Sequence, residues 1–310
     1  MILTLTPNPC VDKTVFIEHL EPGGRYRSQR YTCIPGGKGT NVSRAVKILG
    51  GATRAFVIAG GHTGRHVVDM ITHEDGVDCV PFWCAQPTRT ITTVLEATPH
   101  RQTAFFEPGP TLSDAEKQQL LDAARAALEG AKLLTLNGTV PCGSLCDLYA
   151  ELIRAAKAAG VQTLLDTHGR EFRLALAEGP DFIKPNQQEA EEFLGRSLDS
   201  EAARWEAVDA FHAAGVRGVV MSLGAEGALF SIDGEALRAH PPAIEEVNPV
   251  GSGDALVAGI AMGIVAGWPL ERLARTAIAC GAANAMSWDI GHFTVAEVDD
   301  LSARVRLERR

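Results

Sequence analysis

Short apolar or β-branched runs recur along the chain at residues 2–6 (ILTLT), 55–59 (AFVIA), 133–137 (LLTLN), 163–167 (TLLDT), 181–185 (DFIKP) and 218–224 (GVVMSLG). Their nearly unbroken hydrophobicity predicts buried strands. Residues 114–130 and 143–160 carry Ala and Leu at helical spacing, the first stretch after a Ser113 cap with Glu116 three residues on. Strands alternating with helices predict an α/β fold, a doubly wound and mostly parallel sheet flanked by helices. Two segments break that rhythm. Residues 11–33 and 88–106 alternate side to side around Pro22-Gly23-Gly24 and Thr98-Pro99-His100, which predicts two antiparallel hairpins. Together they would form a small β-sheet lid over a site at the carboxyl ends of the parallel strands. No repeat or linker intervenes, so a single α/β domain over residues 1–310 is expected, with the lid inserted at 11–33 and 88–106.

Bulk chemistry narrows the function. A formal charge of -9 argues against a nucleic-acid partner, because phosphate backbones are gripped by cations. The longest apolar run, residues 255–270, is shorter than the ~20 residues of a spanning helix, so it predicts a core helix and no membrane segment. Seven cysteines (10, 33, 79, 84, 142, 146 and 280) form no C-x-x-C pair. That fits a reducing cytosol, and no basic n-region precedes an apolar stretch at the start, so a cytoplasmic location is expected. One local feature departs from the acidic whole: residues 22–47 hold Arg25, Arg27, Arg30, Lys38, Arg44 and Lys47 and no acid. Such a run is either a solvated face or an anion site.

Neither G-x-x-x-x-G-K-[ST] nor G-x-G-x-x-G occurs, since Leu256 takes the sixth position of the one near match. This disfavours a P-loop NTPase and a dinucleotide-dependent dehydrogenase. V250-G-S-G-D-A255, however, stands at a loop-to-helix junction, where glycines admit a ligand close to the backbone and free N–H groups attract anionic oxygen. Gly251, Ser252 and Gly253 could steady a phosphoryl group while Asp254 takes a proton from an attacking hydroxyl. Asp254 as a helix-start carboxylate favoured by the dipole is the plainer alternative. In P35-G-G-K-G-T-N41, Gly37, Lys38 and Asn41 suit a polyhydroxylated ligand, with Asn41 as a simple helix cap the competing reading.

Three motifs in this order, G-G-K-G-x-N, N-x-x-E at Asn186–Glu189 and V-G-S-G-D, resemble the PfkB (ribokinase-like) family of carbohydrate kinases over essentially the whole chain. The resemblance implies an α/β core with a β-sheet lid that mediates homodimers, and ATP and Mg²⁺ as cofactors. It implies Asp254 as catalytic base and the N–H groups of Gly251, Ser252 and Gly253 as the anion hole. Asn186 and Glu189 would organise Mg²⁺ near the ATP phosphates, although by physics alone they form a capping box. Lys184 would reach an ATP phosphate. Ser222, Gly224 and Gly227 match the nucleotide turn, and Gly281 and Asn284 match positions near adenine; a plain hairpin and a small-residue helix are the respective alternatives.

The acceptor is read from Asp12, whose carboxylate suits a polyol, and from the cations. A sugar phosphate calls for several of them, because charge-assisted hydrogen bonds to phosphate are strong. Arg25 and Arg27, two apart on an expected strand, would share a face, and Arg89 would enter from the second hairpin. Asn137, at the end of LLTLN, joins the same substrate set. Lys38 and the opening T-x-N-P-x-x-D, Thr6 to Asp12, resemble the fructose-1-phosphate and tagatose-6-phosphate kinase subgroup. The expected reaction is ATP-dependent phosphorylation of fructose 1-phosphate to fructose 1,6-bisphosphate, with tagatose 6-phosphate and fructose 6-phosphate as alternative acceptors. A non-catalytic sensor of sugar phosphate or nucleotide is the alternative of another class, disfavoured by the presence of Asp254. Asn248-Pro249 departs from the family's commoner Asp-Thr.

Overall fold

The computed structural model describes residues 1–28, 30–98 and 101–310. Its strands are β1 (Ile2–Thr6), β2 (Cys10–Ile17), β3 (Arg30–Gly36), β4 (Thr53–Ala59), β5 (Asp78–Trp83), β6 (Arg89–Glu96) and β7 (Gln102–Phe106) in the first half. The second half adds β8 (Leu133–Asn137), β9 (Gln162–Asp166), β10 (Phe182–Ile183), β11 (Gly218–Ser222), β12 (Ala228–Ile232), β13 (Glu235–His240) and β14 (Arg306–Arg309).

The large sheet runs β14-β13-β12-β11-β10-β9-β8-β1-β4-β5. From β11 to β5 every neighbouring pair is parallel, and β12, β13 and β14 extend it as an antiparallel edge. The chain leaves β1 toward β4 and β5 on one side and later fills β8 to β11 on the other, so the carboxyl end of β1 is a topological switch point. Alternate β1 residues go to opposite faces: Leu3 and Leu5 join Leu120, Leu152 and Phe211 in one apolar layer, while Ile2 joins Val257, Ile260 and Ala277 in the other.

The expected strands at 2–6, 55–59, 133–137, 163–167 and 218–224 are present to within two residues. DFIKP keeps only Phe182–Ile183, since Pro185 has no N–H to continue a ladder. The helix after Ser113 is Asp114–Ala127, and Ser113 and Glu116 form a reciprocal capping box. The apolar 255–270 run is split: one helix spans Ser252–Ala266, Gly267 ends it at φ 64°, and Leu270 begins the next.

The two irregular segments form a separate four-stranded sheet, β3-β2-β6-β7. β2 and β3 pair antiparallel, as do β6 and β7, and β2 joins β6 in parallel with Cys10 opposite Arg89. Pro99 and His100 of the expected second turn lie outside the described residues. The strand expected to carry Arg25 and Arg27 does not form. After Ile17 the chain turns at Pro22-Gly23, with Gly23 at φ 82°, and residues 24–28 stay irregular and exposed, so neither arginine has a strand face to share.

Candidate active site

A cavity of about 500 Å³ lies between the small sheet and the carboxyl ends of the large one. Even-numbered residues of β2 and odd-numbered residues of β6 line its roof, as the two-residue strand period requires. Its floor is built by two helix starts. Gly37, at φ 118°, lets the chain turn from β3 directly into the Lys38–Ile48 helix. Gly251, at φ 83°, does the same for the Ser252–Ala266 helix. Among the described residues, the backbone N–H groups of Gly251 and Gly253 have no hydrogen-bond partner, whereas Ser252 N–H donates to the Pro249 carbonyl at 3.2 Å. Two amides, rather than three, are therefore free to meet an anion.

Asp254 stands on the first turn of that helix. It is 6% exposed and lines the cavity together with Asp12, Lys38 and Lys184. Its Oδ2 accepts from Asn41 Nδ2 at 2.8 Å. Asn41 is not a cap: the helix begins at Lys38, so Asn41 lies one turn inside it and is buried. Burial pushes the Asp254 carboxyl up to about 6, against the pull of Lys38, with Asp166 reinforcing the rise and Asn41 and Lys184 opposing it. A carboxyl so placed is ionised at neutral pH yet basic enough to accept a proton.

Lys38 and Lys184 share one buried anion. Asp166, at the carboxyl end of β9, lies 3.4 Å from Lys38 Nζ and 3.1 Å from Lys184 Nζ. Burial alone would raise the Asp166 carboxyl, but the two ammonium groups outweigh it and hold it below the usual range. Asp166 in turn keeps Lys38 firmly protonated, with Asp254 and Glu189 adding to the effect. At the base of the roof, Arg89 donates from Nη2 to the Asn8 carbonyl at 3.2 Å, while its buried Nε has no partner among the described residues. Burial raises the Asp12 carboxyl, with Arg44 and Arg89 opposing.

The remaining candidates fall into place unevenly. Asn186 and Glu189 form the capping box: Asn186 Oδ1 accepts from Glu189 N–H at 2.8 Å, and Glu189 Oε2 accepts from Asn186 N–H at 2.9 Å. Asn186 and Ser222 line the cavity. Gly224 and Gly227 do not; they shape the short connection from β11 to β12, where a Cβ on Gly227 would run into the Ala239 carbonyl. Asn284 is fully engaged, donating to the Val250 carbonyl at 2.8 Å and to Ser252 Oγ at 3.2 Å and accepting from Gly291 N–H at 2.7 Å. It braces the glycine loop, and Gly281 packs beside the Ser252 carbonyl. Asn137 does not line the cavity; its Nδ2 donates to Thr135 Oγ1 at 2.8 Å. Arg27 borders a shallow depression with His19 and Tyr26 at the far tip of the small sheet, and Arg25 is exposed.

Sequence reasoning missed Asp166, Arg44 and the turn Trp288-Asp289-Ile290, which closes one side of the cavity. For Asp166 a signal existed: a lone carboxylate at the carboxyl end of an apolar strand, where ligands of open α/β sheets bind. Among the described residues there is no group of three or more His, Cys, Asp or Glu that could hold a metal on its own.

A doubly wound sheet, a small second sheet over its switch point, and a buried carboxylate beside free glycine amides define a phosphotransferase of small molecules. The family model of pfkB family carbohydrate kinases matches residues 5–287, and the chain belongs to that family. It is 34% identical over 309 residues to a 1-phosphofructokinase of Xanthomonas campestris, covering 98% of this chain and 96% of that one. It is 31% identical over 289 residues to ATP-dependent 6-phosphofructokinase isozyme 2 of Escherichia coli, covering 92% and 93%. The crystal structure of phosphofructokinase-2 from Escherichia coli in complex with potassium superposes with a TM-score of 0.91 at 29% identity, over 98% of both chains.

Proposed function

We propose that this kinase transfers the γ-phosphoryl group of ATP to fructose 1-phosphate, at its 6-hydroxyl, giving fructose 1,6-bisphosphate. The supporting observation is Arg89, a cation that lines the same cavity as Asp254 and Asp12. Together with Lys38 it puts two cations on the acceptor side, which suits a phosphate on the acceptor, because charge-assisted hydrogen bonds to phosphate are the strong ones. Fructose 6-phosphate is the second reading, favoured by the likeness to the 6-phosphofructokinase isozyme. A coupled assay of ATP consumption across fructose 1-phosphate, fructose 6-phosphate, tagatose 6-phosphate and the free sugars tests the choice. Turnover of free sugars alone would overturn it.

In this reading Asp12 and Asn41 hold acceptor hydroxyls and Lys38 and Arg89 meet the acceptor's own phosphate. Asp254 takes the proton of the attacking hydroxyl as its oxygen bonds to the γ-phosphorus and the bond to ADP breaks. Charge on the transferring oxygens falls to the Gly251 and Gly253 amides and to Lys184. Phosphotransferases hold Mg²⁺ by one or two carboxylates plus waters and substrate phosphates, so a single carboxylate suffices here. Glu189 fits, because it stands one helical turn behind the cavity-lining Asn186 and the capping box engages only Oε2, which leaves Oε1, with His168 Nδ1 3.9 Å away, for a metal-bound water. Bound there, Mg²⁺ would neutralise charge on the ATP phosphates.

The small sheet serves as lid and as the contact of a homodimer. Phe106, 68% exposed, lies on the cavity face beside Ile91, whereas Tyr31 and Phe105, 66% and 59% exposed, lie on the opposite face of the two edge strands, apolar surface that a partner would cover. Sedimentation of Phe105→Glu tests this: a dimer that persists unchanged would contradict it. The seven free cysteines suit a reducing cytoplasm.

A further inference from the structure

Arg44 is buried beneath the candidate base and does not line the cavity. Every arm of its guanidinium is engaged. Nε donates to Asp75 Oδ1 at 2.8 Å, Nη2 to the Pro35 carbonyl at 2.8 Å, and Nη1 to Asn41 Oδ1 at 3.1 Å and the Ile290 carbonyl at 3.2 Å. These partners come from four separate segments that meet at the cavity floor: the end of β3, the Lys38–Ile48 helix, the turn before β5, and the Trp288–Ile290 turn. Gly291, at φ 72°, leaves room for the contact; a methyl there would stand 2.9 Å from Arg44 Cδ.

Arginine has donors only, so the Asn41 amide must turn its oxygen toward Arg44. Its Nδ2 is then obliged to face Asp254, where it donates at 2.8 Å. An unrestrained asparagine could flip and accept from a protonated carboxyl just as well as it donates to an ionised one. With Arg44 in place only the ionised form is served.

We propose that Arg44 is a positioning residue for phosphoryl transfer: by fixing the Asn41 amide oxygen inward, it makes Asn41 an obligate donor to Asp254 and so keeps that carboxylate in its basic form. The inference rests on Asp254 being the base. Other charges facing Asp254 are Lys38, from the same helix as Arg44, and Lys184 and Asp166, from the ends of β10 and β9. Arg44 itself is faced by Asp75 and acts at longer range on Asp12.

The test compares the pH dependence of kcat in Arg44→Lys, Asn41→Ala, the double variant and Asp254→Asn. Lysine keeps the charge but cannot span the four acceptors, so the expected result in Arg44→Lys is a kcat about tenfold lower and an acid limb moved up by about one pH unit. Asn41→Ala moves the limb the same way, and the double variant moves it no further, because one acts through the other. Guanidinium ion added to Arg44→Ala restores part of the rate. An unmoved acid limb in Arg44→Lys, or shifts that add in the double variant, overturns the proposal. Should Arg44→Lys fail to fold, Asp75→Asn loosens the guanidinium without removing it and must move the limb in the same direction; an unmoved limb there is equally fatal. Near-normal turnover in Asp254→Asn would instead sink the base assignment itself, whatever Arg44 does.

Discussion

Lys184 Nζ lies 3.1 Å from Asp166 Oδ1, and both side chains are almost wholly buried at the carboxyl ends of adjacent strands. With Lys38 on its other oxygen, Asp166 fixes two cations at the cavity floor before any substrate arrives. Asp166→Asn leaves Lys184 charged and buried without its counter-ion, a change that costs about 3 kcal/mol in such settings. The expected outcome is a lowered urea midpoint at neutral pH together with a loss of activity. Because the Asp166 carboxyl is held below its ordinary value, its contribution is complete at neutral pH and disappears only in acid, as pH falls through the folded-state value. An unchanged midpoint at pH 7 would show that the pair does not stabilise the floor.

The Asp254 carboxyl has the opposite sign. Raised from 3.8 to about 6, it binds its proton more tightly in the folded protein, so stability falls as pH rises between those values. Asp254→Asn removes that cost and is expected to gain on the wild type by about 2 kcal/mol between pH 4 and pH 7. Denaturant unfolding of both proteins at the two pH values reads the difference. In the same window kcat/KM should rise with an acid limb near 6.

Glycines 251 and 253 separate strain from chemistry. At Gly251 the φ of 83° and the nearby Ile290 side chain forbid any Cβ, so Gly251→Ala loses stability and activity together. At Gly253 a methyl group meets nothing nearer than Lys184 Nζ, at 4.0 Å. Gly253→Ala is therefore expected to fold with a normal melting temperature, while a methyl beside the free amides lowers kcat by about tenfold or more. Full activity in a folded Gly253→Ala would remove this amide from the anion site.

Arg89→Ala is expected to raise KM for the sugar phosphate by about 10- to 100-fold, the worth of a charge-assisted contact, with KM for ATP nearly unchanged. Initial rates with each substrate varied in turn check it. A rise confined to KM for ATP would mean that the roof of the cavity covers the nucleotide instead.

Much of this was legible in the sequence because it is local. Strand runs, the Ser113–Glu116 and Asn186–Glu189 capping boxes and the two hairpins depend on neighbours within a few residues. The glycine motifs were legible too, since Gly37 and Gly251 hold backbone angles other residues resist. What escaped depends on distant chain segments. Asp166 looks like a strand residue until Lys38 and Lys184 converge on it, and Arg44 looks like one more surface cation until four segments close around it. Arg25 and Arg27 show the converse: alternation suggested a shared strand face, but the Pro-Gly-Gly turn left them in irregular chain.

The central claim is that Asp254 takes the proton of the attacking hydroxyl. Its most direct test is the steady-state rate of Asp254→Asn with ATP and fructose 1-phosphate, alongside nucleotide binding measured by calorimetry. The account predicts a kcat lower by about 10²- to 10⁴-fold with ATP affinity unchanged; a kcat within about twofold of wild type would contradict it.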